Sequence, residues 1–162
     1  SNAEFAPAPV PRDVLTFIAE SVQTNIRELE GALTRVTAYA ALTHEEITLE
    51  MAQEVLRDLV PTPQTKPLTC DDIINRVASY AGHTREDLIG PSRRQPLARY
   101  RQVAMYLCRE YTDLSLPKIG KAFGGRDHTT VLHAVDKIKS MMQADADIYK
   151  DVTSLSHDLR TT

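Results

Sequence analysis

The sequence has no tryptophan, few aromatic residues of any kind (6%) and only two cysteines, Cys70 and Cys108. The cysteines lie far apart with no CxxC spacing, which excludes a zinc knuckle and a disulfide framework; both read as small core residues. No run of about 18 apolar residues exists to span a bilayer, and no basic-then-apolar leader opens the chain. An intracellular, cytoplasmic chain is therefore expected. Strand-like alternation of useful length is missing, as are internal repeats, so the fold class is all-α. No GxxxxGK[ST] phosphate loop occurs, so no ATP hydrolysis is expected of these residues. What the sequence does have is 162 residues at 42% hydrophobic content, enough for the cores of one or two small domains. Its opening Ser1-Asn2-Ala3 resembles the remnant of a cleaved tag, so a fragment of a longer protein is expected.

The net charge of −3 conceals an asymmetry. Residues 1–65 hold four Arg/Lys against ten Asp/Glu, whereas residues 66–162 hold fifteen against twelve. Between Arg85 and Lys139 the count is eleven basic to six acidic. An acidic module joined to a basic one points to an anionic partner for the second.

Along the chain, the prolines at 7, 9 and 11 forbid helix before Pro11, which suits a first helical turn. Three short amphipathic helices follow. The first carries Val14, Leu15, Ile18 and Val22; the second, opened by Asn25 with Glu28, carries Ile26, Leu29, Leu33, Val36 and Ala40; the third, capped by Thr48, carries Leu49, Ala52, Leu56 and Leu59. The prolines of residues 61–67 mark a linker and a domain boundary. Beyond it, Thr69 with Asp72 caps a helix presenting Ile73, Ile74, Val77 and Tyr80, and Thr84 with Asp87 starts a short turn. Pro96 opens a longer helix with Leu97, Val103, Ala104, Leu107, Cys108 and Tyr111 inward. Ser115 caps a brief helix stopped by Gly124-Gly125. A helix with Val131, Leu132, Val135 and Ile138 inward follows, and a last one runs from about Asp147 to Leu159.

Two helices joined by a short glycine turn have the layout of a helix-turn-helix, whose second helix enters the major groove N-terminus first. Arg126, Asp127, His128, Thr129 and Thr130 fall at that end. Asp can accept from a cytosine amino group, Thr can touch a thymine methyl, and His can donate or accept. The helix N-terminus also favours phosphate. A plain N-cap would account for Asp127 or Thr129 alone, but not for five such residues together. His128 and His133 do not have the HExxH spacing and lack partners to complete a metal site, and Asp127-His128 has no nucleophile to serve. A second basic element, Pro91 to Gln102, carries four arginines within nine residues and can place one in a minor groove. Alone it would read equally well as a solvated loop.

SLPKIGKAFGGRDHTTVLHAVDKI, Ser115 to Ile138, resembles the DNA-binding signature of the DnaA family of bacterial chromosomal replication initiators, and NIRELEGAL, Asn25 to Leu33, resembles the lid of that family's AAA+ ATPase domain. The resemblance covers nearly all of the chain from about Val14. With an expression remnant and disordered tail expected over residues 1–11 and the linker at 61–67, it implies a three-helix lid over 12–60 and a Trp-repressor-like helix-turn-helix domain over 68–162. It further implies that Arg93 enters the minor groove of a DnaA box, while Leu116, Pro117, Asp127, His128 and Thr129 meet bases in the major groove. Arg101, Gln102, Arg109, Thr130, His133 and Lys137 would hold the phosphate backbone, and Arg126 would orient or touch phosphate. Gln95 departs from the basic residue some members carry there. Arg27 matches the lid arginine that reaches bound ATP; read as a residue alone, it would pair with Glu30 or Glu28. No cofactor is expected in the fragment, with ATP and Mg expected for the full-length protein. The implied partners are double-stranded DNA, further copies assembled through the missing AAA+ core, and replication regulators, in a nucleoid-associated setting. Two rivals stand beside this reading: a dimeric helix-turn-helix transcription regulator with residues 12–60 as its dimerisation bundle, and an interaction module whose basic face docks an acidic protein.

Overall fold

The computed structural model describes residues 9–22, 26–57 and 67–161. These residues form nine helices and no strand: α1 (Arg12–Ser21), α2 (Ile26–Thr43), α3 (Leu49–Val55), α4 (Cys70–Ala81), α5 (Arg85–Ile89), α6 (Leu97–Tyr111), α7 (Leu116–Ala122), α8 (His128–Met142) and α9 (Ala146–Thr161). Most boundaries follow from local chemistry. Thr48, Thr84 and Ser115 each accept from the amide three residues on, and Thr69 with Asp72 closes a reciprocal capping box. Gly82 ends α4 in the left-handed conformation. The Asn25 cap, Leu59 and residues 61–66 of the expected linker lie outside the described residues.

Apolar side chains gather into two cores. The smaller joins Val14 and Ile18 of α1, Ala32, Val36 and Ala40 of α2, and Ile47, Met51, Ala52 and Leu56 around α3. The larger is built around α6, whose Val103, Ala104, Leu107 and Cys108 are completely buried against α4, α7, α8 and α9. Cys70 and Cys108 are free thiols in this core. Ala38 of α2 also belongs to the larger core, so α2 buries one stripe in each.

Four side chains expected inward are not. Leu15 and Tyr80 are exposed; the Tyr80 ring instead packs edge-on against Tyr100, and its hydroxyl donates to Asp151 at 2.7 Å. Ile26 (65% exposed) and Leu132 (41%) line a groove of about 290 Å³ between α2, α6 and α8. Helical periodicity gives a stripe its width but not its edges, and these residues sit where each stripe meets solvent.

Candidate nucleic-acid interface

The α7–turn–α8 unit is fixed by backbone contacts that only small residues permit. The carbonyl of Gly120 accepts from the amides of Phe123 (3.1 Å), Gly125 (3.1 Å) and Arg126 (2.9 Å). A Cβ on Gly120 would stand 2.0 Å from the Arg126 carbonyl, so the turn can fold back on α7 only over glycine. Gly124 sits at φ +75° with the Ile89 carbonyl 2.7 Å from where its Cβ would be. Ile119, Phe123 and Val131 have no exposed surface and bind the two helices to the core.

Arg126 secures the turn from outside. Its guanidinium donates to the carbonyls of Ile89 (2.8 Å), Phe123 (2.5 Å) and Gly90, tying the turn to the end of α5. Of the two roles expected for Arg126, orientation is the one its hydrogen bonds serve. Arg101 differs more from its expected place on phosphate. It is only 6% exposed, and its three nitrogens donate to the carbonyls of Leu88 (2.6 Å), Ser92 (2.7 Å) and Asp87 (3.3 Å). Burial lowers the pKa of both arginines, and for Arg101 the neighbouring Arg126 charge adds to the effect. Both stay protonated, since arginine does not deprotonate in proteins.

At the start of α8, Asp127 is the N-cap. Its carboxylate accepts from the Thr129 amide (3.4 Å) and hydroxyl, while its other oxygen lies 3.3 Å from Nδ1 of His128. The Thr129 hydroxyl, first among several hydrogen bonds, holds the Asp127 carboxyl below its ordinary pKa of 3.8. The Asp127 and His128 side chains are nonetheless 65% and 55% exposed, and Thr129, Thr130 and His133 are exposed with them. A carboxylate has about four acceptor sites, so the cap leaves capacity directed outward.

Arg93 and Arg94 lie exposed on the arm between α5 and α6. A cleft of about 670 Å³ separates the arm from α8, lined by Arg93, Arg101, Gln102, Arg126, Thr130 and His133 among others. Six of the expected DNA-facing residues or their support thus share one concave, positively charged wall. Gln102 accepts from Arg99 at 2.7 Å, Pro117 and Lys137 are exposed, and Leu116 is half-buried against the core.

Arg109, in the last turn of α6, and Arg27 of α2 stand apart from this cleft. Arg27 donates to the carbonyls of Thr112 (2.6 Å) and Leu114 (2.9 Å). Burial lowers the Arg109 pKa, and the adjacent Arg27 adds to it. The sequence reading missed the buried pair of Arg35 and Glu110 at 2.9 Å. Its signal was Gly31 inside a helix with Arg35 one turn on, since an interior glycine marks a close approach. Among the described residues, no group of three or more His, Cys, Asp or Glu is placed to hold a metal ion, and no helix is long and apolar enough to cross a membrane.

A short helix, a glycine turn and a second helix that presents polar side chains from its first turn define the helix-turn-helix class. Residues 70–138 match the family described as "Bacterial dnaA protein helix-turn-helix". The chain is 50% identical over 151 residues to the "Chromosomal replication initiator protein DnaA" of Cutibacterium acnes, covering 93% of this chain and 30% of the relative. It is 48% identical over 160 residues to the protein of the same name from Limosilactobacillus fermentum, covering 99% of this chain and 36% of the relative. With the Leifsonia xyli protein of that name the identity is 48% over 159 residues, covering 98% and 34%. The chain belongs to the bacterial DnaA family, and it spans about a third of the length of the curated relatives it matches.

Proposed function

We propose that this chain binds DnaA-box duplexes sequence-specifically, as the origin-recognition part of an initiator of bacterial chromosome replication. The observation that carries the reading is the exposed first turn of α8 next to a cleft whose lining joins Thr130 and His133 of α8 to Arg93 of the arm. In it, Asp127, His128 and Thr129 read base edges, with Leu116 and Pro117 suited to thymine methyls. Arg93 reaches the minor groove. Gln102, Thr130, His133 and Lys137 hold phosphates, with Arg109 at the periphery. Arg101 and Arg126 position the arm and turn, and their charge adds to the attraction without a direct contact being needed.

Residues 12–60 serve as the lid of an AAA+ domain, 61–67 as linker and 68–162 as the DNA-binding domain. The nucleotide core, with ATP, Mg and the self-assembly surface, belongs to the rest of the full-length protein. There Arg27 would turn toward nucleotide. Replication regulators are its further partners, and the nucleoid its place of action.

The test is fluorescence anisotropy of a labelled DnaA-box duplex against a scrambled duplex of equal composition at near-physiological salt. A preference of about 10³ or more is expected for specific readout. Equal binding of both duplexes would reduce the site to a basic surface.

A further inference from the structure

The strongest polar contacts outside the cleft join α2 to the far side of the helix-turn-helix. Arg35 of α2 is 2% exposed and Glu110 of α6 is 5% exposed. The two meet at 2.9 and 3.3 Å, and Arg35 also donates to Ser156 Oγ of α9 (2.6 Å) and to the Tyr111 hydroxyl (3.3 Å). Burial works against the Arg35 charge, but Glu110 and Tyr111 outweigh it and its pKa is raised. Gly31 makes the approach possible, since a Cβ there would stand 2.4 Å from the Glu110 carboxylate carbon. Arg160 of α9 bonds Glu28 of α2 at 2.8 Å.

Arg27, one turn nearer the start of α2, completes the contact. Thr112 caps the end of α6 and Leu114 immediately precedes Ser115, the N-cap of α7. The last carbonyls of a helix lack intrahelical partners and carry the negative end of its dipole, so a guanidinium there satisfies and stabilises them. We propose that α2 is a brace for the helix-turn-helix: docked through Gly31 and Arg35, it uses Arg27 to hold the α6–α7 connection. The α1–α3 bundle thereby controls the mobility of α7 without touching DNA. Because α7 and α8 pack as a unit, release of α2 loosens the surface that faces the cleft. This control goes beyond the DNA-binding reading and is tested without DNA.

The experiment is residue-resolved amide hydrogen exchange by NMR on the whole chain and two variants, Arg27→Ala and Gly31→Leu. The reporters are the Lys118 and Ile119 amides, bonded to the Ser115 side chain and carbonyl, with the Val77 and Ala78 amides of α4 as reference. Both variants are expected to accelerate exchange at α7 by about tenfold while α4 keeps its protection, the pattern of a local opening. Should Gly31→Leu loosen every helix together, Arg27→Ala decides, because it removes only contacts to backbone carbonyls. Unchanged α7 exchange in Arg27→Ala overturns the brace. Loss of box preference in the wild-type chain would overturn the DNA reading and leave this result standing.

Discussion

Two sets of arginines in this chain are used in opposite ways. Arg93 and Arg94 are exposed on the arm with their charge turned to solvent, whereas Arg101 and Arg126 spend their donors on backbone carbonyls beneath it. Arg35 carries the contrast furthest, buried in a pair with Glu110. Sequence position alone does not separate them, because all five are the same residue on or near a helix. The difference is what surrounds each guanidinium. A loop that leaves carbonyls unpaired must find donors, and an arginine with a fork of five N–H groups satisfies several at once.

The largest effect should come from breaking the most buried member of the inward set. Glu110→Leu strands the Arg35 charge and is expected to destabilise the fold by about 3–5 kcal/mol, measured by chemical denaturation. The double variant Arg35→Met/Glu110→Leu should recover most of that loss, since an apolar pair of similar volume removes the desolvation cost. Next, Arg101→Ala removes a charged donor from three carbonyls and is expected to cost about 2–3 kcal/mol of stability. Arg93→Ala should instead leave stability within about 0.5 kcal/mol and weaken binding to the box duplex. If the two behaved alike in both assays, the division between positioning and contacting arginines would fail.

The same contrast explains what the sequence made legible. The helices, their Thr and Ser caps and the glycine turn were readable because each depends on chemistry within a few residues. The surface at the start of α8 was readable because motif and periodicity placed it there. The inward roles of Arg101 and Arg35 were not, since their partners at Leu88 and Glu110 are distant in sequence or are carbonyls that every residue possesses. Exposed Ile26 and Leu132 likewise depend on where α2 docks, which no local pattern encodes.

On the outward side, Asp127 has two roles that substitution can separate. Asp127→Ala loses both the cap and the acceptor, so stability should fall together with the affinity. Asp127→Asn keeps a capping oxygen and should lose discrimination between duplexes with little change in stability. His128→Ala is expected to cost about 1–3 kcal/mol on a cognate site and to flatten preference. Lys137→Ala should weaken all duplexes alike and reduce the slope of log affinity against log salt by about one.

The smallest expected effect tests how the outward set is held in place. The Thr129 hydroxyl is the main cause of the low Asp127 pKa, with the Thr129 amide and His128 contributing further. A carboxyl whose folded-state pKa is depressed contributes stability that is fully present above its unfolded value and is lost as pH falls through the folded one. The Asp127 cap is therefore complete at neutral pH and weakens only in acid, below 3.8. Thr129→Val removes the hydroxyl while keeping the shape, so the Asp127 midpoint should move up toward its ordinary value in an NMR titration of the carboxyl carbon. Stability near pH 7 should fall slightly, because the contribution of the depressed pKa is present there and is lost with the hydroxyl, whereas stability in strong acid should hardly change. An unmoved midpoint would mean that the hydroxyl is turned outward in solution, free to meet a base, and that the backbone alone holds the cap.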